Sequence, residues 1–248
     1  MNMTGNTILV TGGGSGIGRG LAEAFHAAGN HVIIAGRRRQ PLEETVAAHP
    51  GMAFALLDIE DPAAIKTFAS EVTRDYPALN VLINNAGIMR PEDVLAGNLA
   101  DAEATITTNL LGPIRLIAAL LPHLRQRTQA AIINVTSGLA FVPLAATPTY
   151  NATKAAMHSY SQALGFQLRD TPIQVIELVP PAVATDLMPG HAANPNSMPL
   201  DAYIGESMSL LKANPSAPEI CVERVKFLRD AEADHRYEAV FNILNQGH

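Results

Sequence analysis

Apolar residues are spaced along this chain in two alternating rhythms. Short, largely β-branched runs occupy residues 7–10 (T-I-L-V), 31–35 (H-V-I-I-A), 52–57 (M-A-F-A-L-L), 81–83, 131–135 and 173–179. They carry few polar positions, as strands buried on both faces do. Between them apolar residues recur at helical spacing, first as Ile17, Leu21, Ala24, Phe25 and Ala28, closed by Gly29 and Asn30. The same spacing predicts helices over 40–48, over 62–74 with Pro62 in the first turn, and over the long stretches 99–124 and 150–169. This alternation predicts an α/β protein with one doubly wound parallel sheet and helices on both faces, because right-handed crossovers leave no other packing. Ligands of such sheets bind beyond the carboxyl ends of the strands.

The first strand runs into Thr11-Gly12-Gly13-Gly14-Ser15-Gly16-Ile17-Gly18 before the first helix. A glycine turn between a strand and a helix N-terminus is an anion site: outward amides and the helix dipole favour negative charge, and glycine lets a pyrophosphate approach closely. The same residues could merely reverse the chain, but the strand before and the helix after them point to a Rossmann-like dinucleotide site at Gly12, Ser15, Gly16, Ile17 and Gly18. NAD sites place a carboxylate about 20 residues after the turn, on the ribose 2′-hydroxyl. Gly36 holds that place here, followed by Arg37, Arg38 and Arg39. Guanidinium groups pair with a 2′-phosphate that a carboxylate would repel, so the expected cofactor is NADP rather than NAD. Asp58, ending the third strand, is a candidate acceptor for the adenine amino group.

Ser137, Tyr150 and Lys154 carry the candidate chemistry. Positions 150 and 154 share one face of a helix, so an ammonium and a phenol meet there. A neighbouring cation favours phenolate and is expected to lower the phenol pKa. Tyr150 would then exchange a proton with a carbonyl or alcohol oxygen while hydride moves at carbon, and Ser137, ending the fifth strand, would polarise the same oxygen. Tyr-x-x-x-Lys alone is common on helix surfaces; its weight comes from following a strand-end serine in a chain with a dinucleotide turn. Asn109 falls within the long helix, where an amide is most simply a surface residue or a kink.

Composition narrows the rest. The chain has 248 residues, 48% of them hydrophobic, enough for one sizeable core. A net charge of −6 with scattered Lys and Arg argues against nucleic acid as a partner. Cys221 is the single cysteine, so no disulfide framework or thiolate cluster forms within the chain, and no His/Asp/Glu spacing suggests a metal. The N-terminus lacks a basic region followed by an apolar stretch, and the apolar run at 114–121 is too short to span a membrane. The expectation is a soluble cytoplasmic protein with no membrane partner.

Taken together, Thr-Gly-x-x-x-Gly-x-Gly at 11–18, Asn-Asn-Ala-Gly at 84–87, Asn109, Ser137 and Tyr-x-x-x-Lys at 150–154 resemble the small single-domain short-chain dehydrogenases/reductases. The resemblance implies that Tyr150 is the acid–base residue, that Ser137 orients the substrate oxygen, that Lys154 binds the nicotinamide ribose and lowers the tyrosine pKa, and that Asn109 holds a relay water. It further implies that Asn85, Ala86 and Gly87 line the adenosine end, that Arg37 marks NADP preference, and that Val183 and Thr185 meet the nicotinamide amide and the phosphates. Two departures stand out. Pro180-Pro181 replaces the family's usual Pro-Gly, and residues 217–245 read as charged helical segments, so the usual seventh strand is expected to be missing.

The expected organisation is a single catalytic domain over 1–248, with a substrate lid at 186–215 and a variant helical C-terminus at 217–248. The expected activity is NADP-preferring interconversion of a ketone or aldehyde with an alcohol. Alternatives are a non-catalytic dinucleotide-binding redox sensor, and a related imine reductase or dehydratase. No Lys or Arg lies between Arg169 and Lys212, so the substrate is expected to be small, neutral and apolar, bordered by Phe141, Leu144, Met188, Met198, Tyr203 and Met208. Helices 99–124 and 150–169 carry apolar residues most of the way round, at Ile114, Leu116, Ile117, Leu120 and Leu121 and at Tyr160, Ala163, Leu164 and Phe166. That predicts a homodimer paired through these helices, with the tetramer contact of the family made doubtful by the missing strand.

Overall fold

The computed structural model describes residues 1–188, 190 and 193–246. Seven strands form one sheet: β1 (Thr7–Thr11), β2 (His31–Gly36), β3 (Ala53–Leu56), β4 (Leu79–Asn84), β5 (Ala130–Val135), β6 (Ile173–Val179) and β7 (Glu219–Cys221). All neighbours pair in parallel, in the order β3-β2-β1-β4-β5-β6-β7. The order reverses between β1 and β4, which opens a crevice at their carboxyl ends.

Alternate residues of each strand feed two cores. Ile8, Val10, Ile34, Ile83, Ile133 and Leu178 face one way, with Leu21 and Phe25 of helix α1 (Gly16–Ala27) and Tyr203 of helix α7 (Leu200–Ala213). Leu9, Ile33, Leu82 and Ile132 face the other, with Ile65 and Phe68 of α3 (Pro62–Asp75), Leu116 and Leu120 of α5 (Gly112–Leu124) and Leu164 of α6 (Pro148–Gln167). Burial on both faces explains the continuous apolar runs of the strands. Helix α2 (Arg39–Ala48) follows the basic turn after β2.

The long helix at 99–124 is interrupted. Helix α4 (Ala100–Ile106) passes through a π-helical turn at Thr107–Leu111 into α5. Pro113 has no N–H to offer the carbonyl four residues back, at Asn109, so the ladder widens there. Gly112 permits the close packing that results: a Cβ at that position would stand 2.5 Å from Ile59 Cγ1 and 2.8 Å from Ile59 O. On length and composition alone the whole 25-residue run could cross a membrane, but its inward face is sheet core.

One expectation about the C-terminal third is corrected. The seventh strand is present, pairing Glu177 with Glu219, Leu178 with Ile220 and Val179 with Cys221. It is invisible as periodicity because Ile220 is its one strongly apolar residue; the open edge of β6 and the Arg229–Glu219 ion pair at 2.8 Å make it a strand. The following residues are helical as expected, in α8 (Lys226–Arg229) and α9 (Tyr237–Leu244). Of the expected lid segment, residues 200–213 form α7, whose Tyr203 and Leu211 are 1% exposed and packed in the core beside α1. Pro189, His191 and Ala192 of the lid segment, and Gly247 and His248 of the C-terminus, lie outside the described residues.

Candidate active site

The glycine turn is built by conformations and contacts that side chains would block. Gly12 (φ +67°) and Gly16 (φ +53°) take left-handed backbone that L residues rarely adopt. At Gly18 a Cβ would lie 2.3 Å from both Asn85 Nδ2 and Gly12 O, so glycine alone lets α1 close on the ends of β1 and β4. The Thr11 hydroxyl donates to Ile83 O (3.3 Å) and accepts from the Asn85 and Ala86 amides at 3.0 and 3.1 Å, stitching the two strand ends together. Asn85 Nδ2 donates back to Thr11 O at 3.1 Å. Ser15 occupies the N-cap of α1 without a side-chain cap bond, and the first turn carries no acid. The first-turn amides and the positive end of the helix are thereby left for an anion.

A cleft of about 530 Å³ runs from this turn across the crevice. Gly12, Ser15, Gly16, Ile17, Asn85, Ala86 and Gly87 line its middle, with Thr185 against Gly16, while Arg37 and Arg38 line one end and Tyr150 and Lys154 the other. Ile88, Thr108, Thr136, Pro180 and Leu187 line it as well, and no sequence spacing singled them out. Gly18 lies behind the turn. Asp58 is exposed and its carboxylate accepts from the Glu60 amide (3.0 Å), turned back on its own chain. Val183 is 3% exposed and bridges Met198, its neighbours exchanging backbone bonds with Met198 at 2.8 and 2.9 Å.

At the polar end, Tyr150 and Lys154 stand one turn apart on α6, both buried, with the lysine Nζ 5.5 Å from the phenol ring centre. Lys154 Nζ donates to Val135 O at 2.8 Å. Ser137 Oγ accepts from the Leu139 amide at 3.1 Å. Burial pushes the phenol up to about 12, with the Ser137 side chain pulling the other way. Burial likewise pushes Lys154 down to about 8, opposed by the Glu177 carboxylate. Desolvation therefore outweighs the cation at the tyrosine, which corrects the expectation of a lowered phenol pKa: the ammonium is directed at a backbone carbonyl.

Asn109 sits in the π-helical turn, buried. Its Oδ1 accepts from the Ile88 amide and its Nδ2 donates to Ile88 O, both at 2.8 Å, with Thr153 Oγ1 at 3.4 Å. Its amide clamps the loop after β4 and does not line the cleft. At the basic end Arg37 Nη1 donates to Glu60 Oε1 (2.6 Å), and the same oxygen accepts from Thr108 Oγ1 (2.9 Å). Glu60 is a residue that sequence spacing gave no reason to notice. The expected apolar substrate border is mostly structural: Met198 and Tyr203 are core, and Phe141 lies between Arg229 (4.6 Å) and His158 (4.7 Å).

A phenol, a hydroxyl and an ammonium at one end of a cleft, with an anion cradle at its middle, suit a dinucleotide oxidoreductase. Comparison with known proteins agrees. Residues 6–196 match the family model described as short chain dehydrogenase. The chain is 40% identical to the uncharacterized oxidoreductase DltE of Bacillus subtilis, over 99% of this chain and 98% of that protein. It is 32% identical to an NADP-dependent 3-hydroxy acid dehydrogenase, YdfG, of Shigella flexneri, over 70% of this chain and 71% of that one. Among solved structures, a short chain dehydrogenase from Burkholderia cenocepacia in complex with NADP matches with a TM-score of 0.82 at 25% identity, over 98% of this chain and 99% of that chain. On the family match over residues 6–196 and the 40% identity to DltE along nearly its whole length, the chain belongs to the NAD(P)-dependent short-chain dehydrogenases/reductases.

Proposed function

We propose that this oxidoreductase prefers NADP and reduces a small, neutral ketone or aldehyde to an alcohol, with Tyr150 as the proton donor. The observation that carries the reading is the pair Tyr150 and Lys154, both buried and one turn apart on α6, at the opposite end of the cleft from Arg37 and Arg38. The cradle fits a dinucleotide: left-handed glycines at 12 and 16, uncapped first-turn amides, and guanidinium groups where a 2′-phosphate would lie. Bound there, the cofactor supplies the hydride. The protein handles the proton. A phenol held near 12 is fully protonated at neutral pH, so Tyr150 is poised to give its proton to a carbonyl oxygen. The Ser137 hydroxyl would donate to the same oxygen, and the Lys154 charge offsets the phenolate left behind.

A neutral substrate is supported by the absence of Lys and Arg between Arg169 and Lys212, the chain that follows the active-site helix. NADPH oxidation followed by absorbance against ketones and aldehydes of graded size should show turnover with apolar members. Tight NADPH binding with no turnover would instead support a redox sensor, and efficient use of acyl-carrier or coenzyme A thioesters would refute a neutral substrate.

The same reading includes a homodimer through α4, α5 and α6. Ile106, Leu111 and Phe166 are 40%, 37% and 68% exposed in the single chain, apolar surface that a second copy would cover. Light scattering at micromolar concentration should give twice the chain mass; a monomeric mass would refute the contact.

A further inference from the structure

Among the described residues two charged side chains belong to the buried set, and they have opposite sign: Lys154, 6% exposed, and Glu177, 3% exposed. They are anchored to adjacent residues at the end of β5. Lys154 Nζ donates to Val135 O at 2.8 Å, and Thr136 Oγ1 donates to Glu177 Oε1 at 2.6 Å. On α6, one turn below Lys154, His158 Nδ1 lies 2.8 Å from the other carboxylate oxygen. A carboxylate buried in mid-strand, with the amide of Asn134 as its register partner on β5, is costly unless paired and hydrogen-bonded. Thr136 and His158 satisfy its oxygens, and the nearby ammonium balances its charge.

We propose that Glu177 is a positioning residue for Lys154: the buried counter-charge, fixed by Thr136 and His158, that keeps the ammonium in place beside Tyr150. The part Lys154 plays rests on the function proposed above; its pairing with Glu177 does not. The direction of the Lys154 titration agrees, since Glu177 opposes the downward pull of burial. The groups around Glu177 are Lys154 and His158 on α6, Thr136 just after β5, Glu219 and Cys221 on β7, and Arg229 and Asp230 after it. Arg229 holds both Glu219 oxygens, at 2.8 and 3.1 Å, so Glu219 is balanced locally, while Glu177 contacts His158 and acts on Lys154 from beyond ion-pair distance.

His158, Glu177 and Glu219 also border a second cavity of about 720 Å³ on the far side of α6. Their ligand atoms lie within 4.8 Å of one another, a grouping absent from the sequence spacing. We assign no cation there, because Arg229, Thr136 and His158 already occupy those carboxylates.

Competitive labelling with acetic anhydride, read by mass spectrometry across pH, reports the neutral fraction of Lys154 without substrate or cofactor. In the wild-type protein the midpoint should lie near 8. Glu177→Gln keeps the shape and an acceptor for Thr136 but removes the charge that favours ammonium, so the midpoint should fall by about one pH unit. The high-pH limb of carbonyl reduction should move down with it. Glu177→Asp keeps the charge but moves it one methylene further away, so the midpoint should fall by a smaller, measurable amount. A wild-type midpoint in folded Glu177→Gln overturns the proposal. Should that variant not fold, a midpoint in Glu177→Asp no lower than wild type overturns it equally. If no carbonyl is turned over, the proposed function fails, while the labelling midpoint still decides the pairing.

Discussion

Tyr150→Phe should lose about 10²- to 10⁴-fold in the rate of carbonyl reduction, the usual contribution of a positioned proton donor. The phenylalanine ring fills nearly the same buried space, so the fold should survive. Ser137 keeps its bond from the Leu139 amide, so Tm should change little. NADPH binding should persist, because the glycine turn and the basic end of the cleft are untouched. Stopped-flow or steady-state assay beside a fluorescence titration separates the two effects. Reductase activity within a few-fold of wild type in this variant would remove Tyr150 from the chemistry. Loss of NADPH binding along with activity would move its role to the cofactor.

Arg37→Ala should weaken NADPH much more than NADH. A charge-assisted contact to a phosphate is worth about 1.5–3 kcal/mol, or roughly 10- to 150-fold in Kd. The Arg37 side chain is 48% exposed, which places the effect toward the lower end and makes it shrink as salt is added. Glu60 qualifies the contact without removing it. It engages Nη1 alone, while a guanidinium has five N–H donors, so the remainder can meet a 2′-phosphate. Fluorescence titration with both cofactors at two salt concentrations tests this. Equal losses for NADPH and NADH would make the basic turn a solvated surface and end the argument for NADP preference.

Much of this site could be read before any coordinates were known, and the legible part has a common cause. Strands buried on both faces must be apolar throughout, and helices over them must be apolar at 3.6-residue spacing, so six strands and the helices between them show in the order of residues alone. Thr11–Gly18 is legible for a related reason: left-handed backbone at Gly12 and Gly16 and the 2.3 Å approach at Gly18 admit only glycine. Ser137, Tyr150 and Lys154 follow from strand end and helix spacing, which are local.

What the sequence could not determine depends on contacts between residues far apart along it. β7 is a strand because β6 offers it an edge and Arg229 balances Glu219. The π-helical turn that presents Asn109 to Ile88 follows from Pro113 but is aimed by the loop after β4. Phe141, Met198 and Tyr203 look like pocket residues by type and become core or packing by position. The phenol pKa reverses direction for the same reason: sequence places a cation beside Tyr150, and tertiary burial takes both from water and turns the cation toward Val135. Local sequence determined backbone conformation and the identity of the chemical groups; desolvation and long-range pairing, which exist only once the sheet and helices are packed, decided what those groups do.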